Sequence, residues 1–229
     1  MVALVLLPGL DGTGLLLADF AASFAQEVTV IVASYPPETP LSYTELEPIA
    51  RSFLPDDQPF FLLAESFSGP IAISIAASAP PGLLGLVLCC SFARNPFSLL
   101  AFFRSVIGIF PVPPVGILSF FLLGRFSTSK LRGALIRSLG LVSPEVLRAR
   151  ACAALSVDVS GLLSRVRVPV LYLRAAEDRV VLRSSSKLVA SLAPQVKVVE
   201  CRAPHFLLQV LPSQSASEVS AFMGASSAL

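Results

Sequence analysis

A serine, an aspartate and a histidine, each just beyond a separate apolar run, are the residues of this chain whose types and order could do chemistry together: Ser66, Asp178 and His205. A serine hydroxyl is a poor nucleophile at its own pKa and needs a neighbouring base to take its proton. His205, the only histidine in the chain, can be that base. An aspartate on the far side of the imidazole holds its tautomer and stabilises the imidazolium that forms. Such a set performs acyl transfer through a covalent acyl-serine. The order Ser…Asp…His is the one found where the nucleophile stands on a strand-to-helix elbow.

The elements must therefore put three loop residues on one edge. Ser66 lies in FFLLAESFSGP, residues 60–70, where an apolar strand runs into a small-residue helix with Ala64 two before the serine and Ser68 two after it. Small residues suit a turn that brings strand and helix backbones close and exposes the serine oxygen. The usual pattern has glycine at both flanks, so Ala64 and Ser68 are departures. Taken alone, a serine at such a junction is also read as a helix cap. The apolar runs at 2–7, 28–33, 59–63, 83–89, 168–174 and 196–200 are continuous rather than alternating, as strands covered on both faces should be. Helices are expected at 15–25, 43–53, 67–79, 184–192 and 206–222. Strand alternating with helix predicts a doubly wound, mostly parallel sheet of six strands whose working edge is formed by the loops after the strands.

Three other acids compete for notice. Glu65 adjoins Ser66, but neighbours at a sharp turn point apart, which makes it a structural or electrostatic neighbour. Glu177 is the back-up to Asp178. Asp158, before VSGLLS, reads as a helix cap.

Between 94 and 158 the rhythm breaks. This stretch reads as three or four helices separated at 111–114, 124–129 and 140–144, and it holds seven of the 16 phenylalanines: Phe97, Phe102, Phe103, Phe110, Phe120, Phe121 and Phe126. It divides the chain into a core of 1–93 and 159–229 and a helical insert that would close over an apolar pocket, most rings packing together and two or three lining it. Residues 105–123 carry no charge and are long enough to cross a bilayer. Pro111, Pro113 and Pro114 break that helix, and lipid cannot satisfy the carbonyls they free. A protein-buried hairpin is the expectation; a span or an interfacial anchor are the alternatives, and membrane contact is at most peripheral.

Composition narrows the field. Only 14% of the 229 residues are charged and 54% are hydrophobic, against about 25% charged in ordinary domains, which excludes disorder. The net charge is +2, with no basic run, so nothing suggests a nucleic-acid face. Cys89, Cys90, Cys152 and Cys201 lack metal-ligand spacing, so no metal is expected. The apolar start MVALVLLPG reads as a strand rather than a signal peptide, and with the cysteine usage it points to a reducing, cytoplasmic setting.

With the elbow, the three residues and their order in place, the chain resembles the α/β-hydrolase superfamily over nearly its full length, and looks most like small bacterial carboxylesterases with a helical cap, the group of pimeloyl-ester esterases and lipase-like enzymes. LPGLDGTG, residues 7–14, resembles the loop that carries the first oxyanion donor, with Pro8 where a histidine is usual. The resemblance implies that the backbone N–H groups of Leu10 and Phe67 form the oxyanion hole, that two strands common in the superfamily are missing, and that no cofactor is needed. The three residues under a phenylalanine-rich, charge-poor insert point to a small-molecule ester with an apolar acyl chain as substrate. Proline breaks at 111, 113 and 114, with rings filling volume, make the pocket modest, which favours short-to-medium chains. A thioesterase or an esterase for carrier-bound acyl groups is the runner-up, with Arg94, Arg104, Arg125, Lys130, Arg132 and Arg137 available to an acidic carrier. A non-catalytic binder that keeps the fold is a third reading.

Overall fold

The computed structural model describes residues 2–26, 28–96 and 113–227. Six parallel strands form one sheet: β1 (Val2–Leu7), β2 (Val28–Val32), β3 (Phe60–Glu65), β4 (Leu83–Cys89), β5 (Val170–Ala175) and β6 (Val196–Cys201), in the order β2-β1-β3-β4-β5-β6. The expected six-stranded doubly wound sheet is present, and every pairing is parallel. Strands β3 and β5 start one and two residues later than the sequence suggests. Pro59 and Pro169 lack the N–H a ladder needs, and each contributes only its carbonyl, to Ala3 N and Leu86 N.

Around the sheet stand α1 (Ala18–Ala21), α2 (Tyr43–Arg51), α3 (Gly69–Ala77), α4 (Val115–Leu122), α5 (Ser129–Gly140), α6 (Pro144–Ala154), α7 (Arg183–Leu192), α8 (Leu207–Val210) and α9 (Pro212–Ser227). Alternate strand residues feed two cores. Val5, Leu7, Leu62, Leu88 and Tyr172 pack with Leu46 of α2, Ile71 of α3 and Val189 of α7. Leu4, Leu6, Leu63, Val87 and Leu171 pack with Phe20 of α1 and Val219 and Phe222 of α9. A three-layer sandwich follows because a strand's successive side chains point to opposite faces.

Several expectations need correction. The first helix is only a 3-10 turn, Leu15–Leu17, and the short α1. The last helix is broken at Leu211, because Pro212 has no N–H and restricts the residue before it. The outermost strands are not covered on both faces: Thr29 of β2 and Lys197, Val198 and Glu200 of β6 are exposed, and charge on such an edge discourages further pairing.

The ends of the 94–158 insert meet, with Asn95 N–H on Val157 O at 2.9 Å and Val159 N–H on Ala93 O at 2.8 Å. Among the described residues the insert holds α4, α5 and α6; Phe97, Phe102, Phe103, Phe110, Pro111 and Arg104 lie outside them. Val115, Leu118 and Leu122 of α4 pack on Leu131, Leu135 and Leu139 of α5 and on Phe206. The opposite side of α4 is open: Ile117, Phe120 and Phe121 are 51%, 58% and 45% exposed. The described part of the hairpin is thus only half-buried: one apolar stripe finds apolar partners, while among the described residues the other is met by the Arg179 guanidinium, 4.4 Å over the Phe120 ring. Among the described residues no helix is long and apolar enough to cross a membrane.

The packing makes a test. A Cβ on Gly85 of β4 would lie 2.8 Å from the Phe61 ring and 3.0 Å from Phe222, so Gly85→Ala should destabilise the fold by about 1–3 kcal/mol. Gly224→Ala, in α9 with nothing within 4 Å, should instead be neutral or stabilising by less than about 1 kcal/mol. Urea denaturation reads both; equal midpoints for Gly85→Ala and wild type would contradict this packing.

Candidate active site

The elbow comes first. Strand β3 ends at Glu65, and Ser66 adopts φ 47° before a 3-10 turn, Ser66–Ser68, leads directly into α3. A non-glycine residue in the left-handed region is strained and persists only where its surroundings hold it. Here they do. Ser66 O accepts from Ser91 Oγ at 2.5 Å and from Gly69 N–H, and Phe67 O accepts from Tyr43 Oη at 3.0 Å. Gly69 is needed because a Cβ there would sit 1.8 Å from Ser91 Oγ. The unusual Ser68 is buried, donates to Pro8 O and shares a hydrogen bond with Tyr35 Oη at 2.8 Å. Where the common pattern has glycine, this chain has a hydroxyl that ties the elbow to the loop after β1.

Ser66, His205 and Asp178 are brought together from three strand ends. Ser66 Oγ is 2.9 Å from His205 Nε2, and His205 Nδ1 is 2.9 and 3.0 Å from the two oxygens of Asp178. Asp178 Oδ1 also accepts from the N–H groups of Val180 and Val181, each at 2.8 Å. With the carboxylate at Nδ1, the imidazole proton belongs there, and Nε2 faces the serine hydroxyl as an acceptor. His205 is 4% exposed. Burial alone would lower its pKa, but the Asp178 charge and hydrogen bond, joined by the Glu65 charge, carry it above the ordinary 6.5. Cys90 lies close enough that its sulfur, Asp178 and His205 fall within 4.8 Å of one another. The carboxylate is already engaged by N–H donors and burial pushes the Cys90 thiol well up, a poor donor set for a cation, which needs deprotonated ligands.

The loop after β1 forms a tight turn, Gly12 N–H donating to Gly9 O at 3.0 Å. A trans peptide sets its N–H opposite its carbonyl. Fixing Gly9 O therefore aims Leu10 N–H, and fixing Ser66 O aims Phe67 N–H. Among the described residues neither N–H donates to a protein acceptor. Gly9, Leu10, Ser66 and His205 line one cavity of about 420 Å³.

Most of the remaining wall of that cavity is apolar: Leu16, Leu118, Leu122, Leu135, Leu139 and Leu147 face it with Phe206, while Asp11, Glu65 and Arg148 are its charged members. Among the described residues of the insert, leucines line it with Pro113, Arg148 and Ala151, and no phenylalanine does. Of the insert's rings among the described residues, Phe120 and Phe121 pack edge to face at 5.4 Å and Phe126 lies under Arg125. The reason is helical phase: positions 118 and 122 share a face of α4, while 117, 120 and 121 fall on the other.

Glu177 turns outward to a bidentate pair with Arg125, so it is not a back-up for Asp178. Asp158 accepts from Ser160 N–H at 2.9 Å but stands one residue before the expected cap position: the N-cap of the turn Ser160–Arg165 is Val159, which makes no side-chain cap bond. Of the insert's cations, Arg125 and Lys130 are paired with Glu177 and Asp19.

Glu65 proves to be more than a bystander. It is 4% exposed, lines the cavity, and accepts from Gln209 Nε2 at 2.8 Å. Burial raises its carboxyl to about 7, with Asp11 pushing the same way and the hydrogen bonds from Gln209 and Gly9 N–H opposing. The sequence offered no sign of Gln209 or Ser91. Only Arg150, on the same helical face as the apolar Val146 and Leu147, left a trace as a charge in a buried stripe.

No protein-family model matches the sequence, and no curated protein matches it. Solved structures do match in shape. An esterase from Thermogutta terrifontis is 17% identical over 98% of this chain and 89% of its own, with a TM-score of 0.81. A hydrolase from Oleispira antarctica is 17% identical over 97% and 90%, with a TM-score of 0.79. The enol-lactonase from Burkholderia xenovorans is 16% identical over 97% and 91%, with a TM-score of 0.72. This chain has the α/β-hydrolase fold, as its motifs led one to expect.

The Glu65 environment makes a second test. In the unfolded chain its carboxyl titrates near 4.5, in the folded chain near 7. The folded state therefore keeps a proton the unfolded state has released, and this contribution to stability is present below pH 4.5 and lost as pH rises through 7. Relative to Glu65→Gln, the wild type should lose on the order of 2 kcal/mol between about pH 5 and pH 8. Urea melts of both proteins at the two pH values measure it, and parallel pH slopes would contradict the assignment.

Proposed function

We propose that this chain is a serine carboxylesterase acting on uncharged esters with short-to-medium apolar acyl chains, without cofactor. The observation that carries the reading is the Ser66–His205–Asp178 relay opening, beside two unengaged backbone N–H groups, into a leucine-walled cavity. In this mechanism Ser66 Oγ attacks the ester carbonyl while its proton passes to His205 Nε2. The carbonyl oxygen becomes an oxyanion held by Leu10 and Phe67 N–H, a kind of donor whose loss typically costs about 2.7–4 kcal/mol. Collapse expels the alcohol, which takes the proton from His205. Water, deprotonated in turn by His205, then frees the acid and restores Ser66. Asp178 keeps the imidazole oriented and balances its charge throughout. The described residues of the insert, α4 to α6, serve as a cap that excludes water from the acyl chain.

Ser66→Ala should lower kcat by about 10⁶ if the three residues act as a unit, and intact-mass labelling by a fluorophosphonate should disappear in the variant. Labelling that persists, or that moves to Ser68, would remove Ser66 from the role.

The cavity sets the chain length. Each methylene buried contributes about 0.8 kcal/mol, so kcat/KM for p-nitrophenyl esters should climb roughly fourfold per carbon, peak between about four and eight carbons, and then fall. A preference for long chains with a steep jump above the solubility limit would point to an interfacial lipase instead.

A further inference from the structure

Arg150 is the largest fully buried side chain among the described residues, 1% exposed, and it comes from α6 in the insert. A buried charge normally has a carboxylate partner, yet this one is bonded to main-chain carbonyls. Nη1 donates to Leu10 O at 3.1 Å and Asp11 O at 2.7 Å, and Nη2 to Pro36 O at 2.9 Å. Nearby Asp11 directs its carboxylate elsewhere, to Thr13 N–H, Thr13 Oγ1 and Ser138 Oγ. The guanidinium also lies over the Tyr35 ring at 5.7 Å.

Leu10 and Asp11 are the central residues of the Gly9–Gly12 turn, and a turn closed by its outer hydrogen bond leaves its central carbonyls without partners inside it. Those are the oxygens Arg150 takes. The loop is shaped for the guanidinium: a Cβ on Gly12, which sits at φ 70°, would be 2.3 Å from Nη1. A flat fork of donors can reach three carbonyls at once, which the single ammonium of lysine does less well. We propose that Arg150 is a positioning residue, which locks the Gly9–Gly12 turn so that Leu10 N–H stays aimed at the cavity, and thereby makes the insert part of the oxyanion-binding machinery. The catalytic half of this inference rests on the esterase reading; the loop-locking half does not.

Two further bonds support the coupling. Ser138 Oγ of α5 donates to Asp11 Oδ2 at 2.7 Å, and Leu122 O at the end of α4 accepts from Phe206 N–H, next to His205, at 3.0 Å.

The experiment compares wild type with Arg150→Met and Arg150→Lys. Titration with a fluorophosphonate counts competent sites, so that kcat refers to folded protein only. Arg150→Met should lower kcat per titrated site by about 10²-fold while KM changes less than about threefold. Affinity for a trifluoromethyl ketone, which forms an oxyanion on Ser66, should fall in parallel. Arg150→Lys should lie between, and added guanidinium ion should restore part of the activity of Arg150→Met. Backbone ¹⁵N order parameters test the loop without substrate: residues 9–13 should drop from about 0.85 toward 0.6 in Arg150→Met. Unchanged order overturns the inference outright. A loosened loop with wild-type kcat per site, or a kcat loss matched by an equal rise in KM, overturns its catalytic half. Failure of the wild type to cleave any ester or to label at Ser66 sinks the esterase reading instead, and the order parameters still decide whether Arg150 holds the loop.

Discussion

At φ 47° the Cβ of an L-residue crowds its own backbone, a conformation that costs on the order of 1–3 kcal/mol, and Ser66 is kept there by the strand and helix that it joins. Strand β3 and helix α3 abut with no linker beyond the single 3-10 turn, so the serine must turn the chain within one residue. Gly69 lets α3 approach the segment after β4, and Ser91 from that segment then holds the carbonyl of Ser66. The same strain that exposes the hydroxyl also sets the direction of Phe67 N–H. The hydroxyl proposed as nucleophile and the N–H proposed as oxyanion donor are thus two consequences of one forced turn.

The insert is joined to this turn by polar bonds rather than by apolar packing alone. α5 and α6 reach the loop after β1 through Ser138 and Arg150, and α4 reaches the loops bearing Asp178 and His205 through the Phe120 and Leu122 carbonyls, which accept from Arg179 and Phe206 N–H. Directional bonds of this kind fix orientation where leucine contacts would permit sliding. The leucines instead supply an apolar wall, in which the charges of the proposed oxyanion and imidazolium would interact more strongly than in water.

Two carboxylic acids near the site show how environment divides labour. Asp178 is met by an imidazole and two backbone N–H groups, which fix the carboxylate against His205. Glu65 is buried against the cavity with a side-chain amide and one backbone N–H, too few to offset its desolvation, so its carboxyl is pushed up to about 7. Near neutrality Glu65 therefore hovers between its two forms, which moderates the field felt by His205.

The strand pattern, the elbow and the Ser…Asp…His order were legible in the sequence because they are local: continuous apolar runs, small residues at fixed offsets and a loop after each run. Even the number of strands followed from counting those runs. What folding alone decided were the partners across long separations. Nothing near residue 150 says that its guanidinium meets carbonyls at 10, 11 and 36, and nothing near 91 says that a serine will support residue 66. The choice between Glu177 and Asp178 depended on which way adjacent side chains point from one loop, and the lining of the cavity on the helical phase of α4. Those are matters of orientation and packing, set when the whole chain closes, and one-dimensional spacing does not carry them.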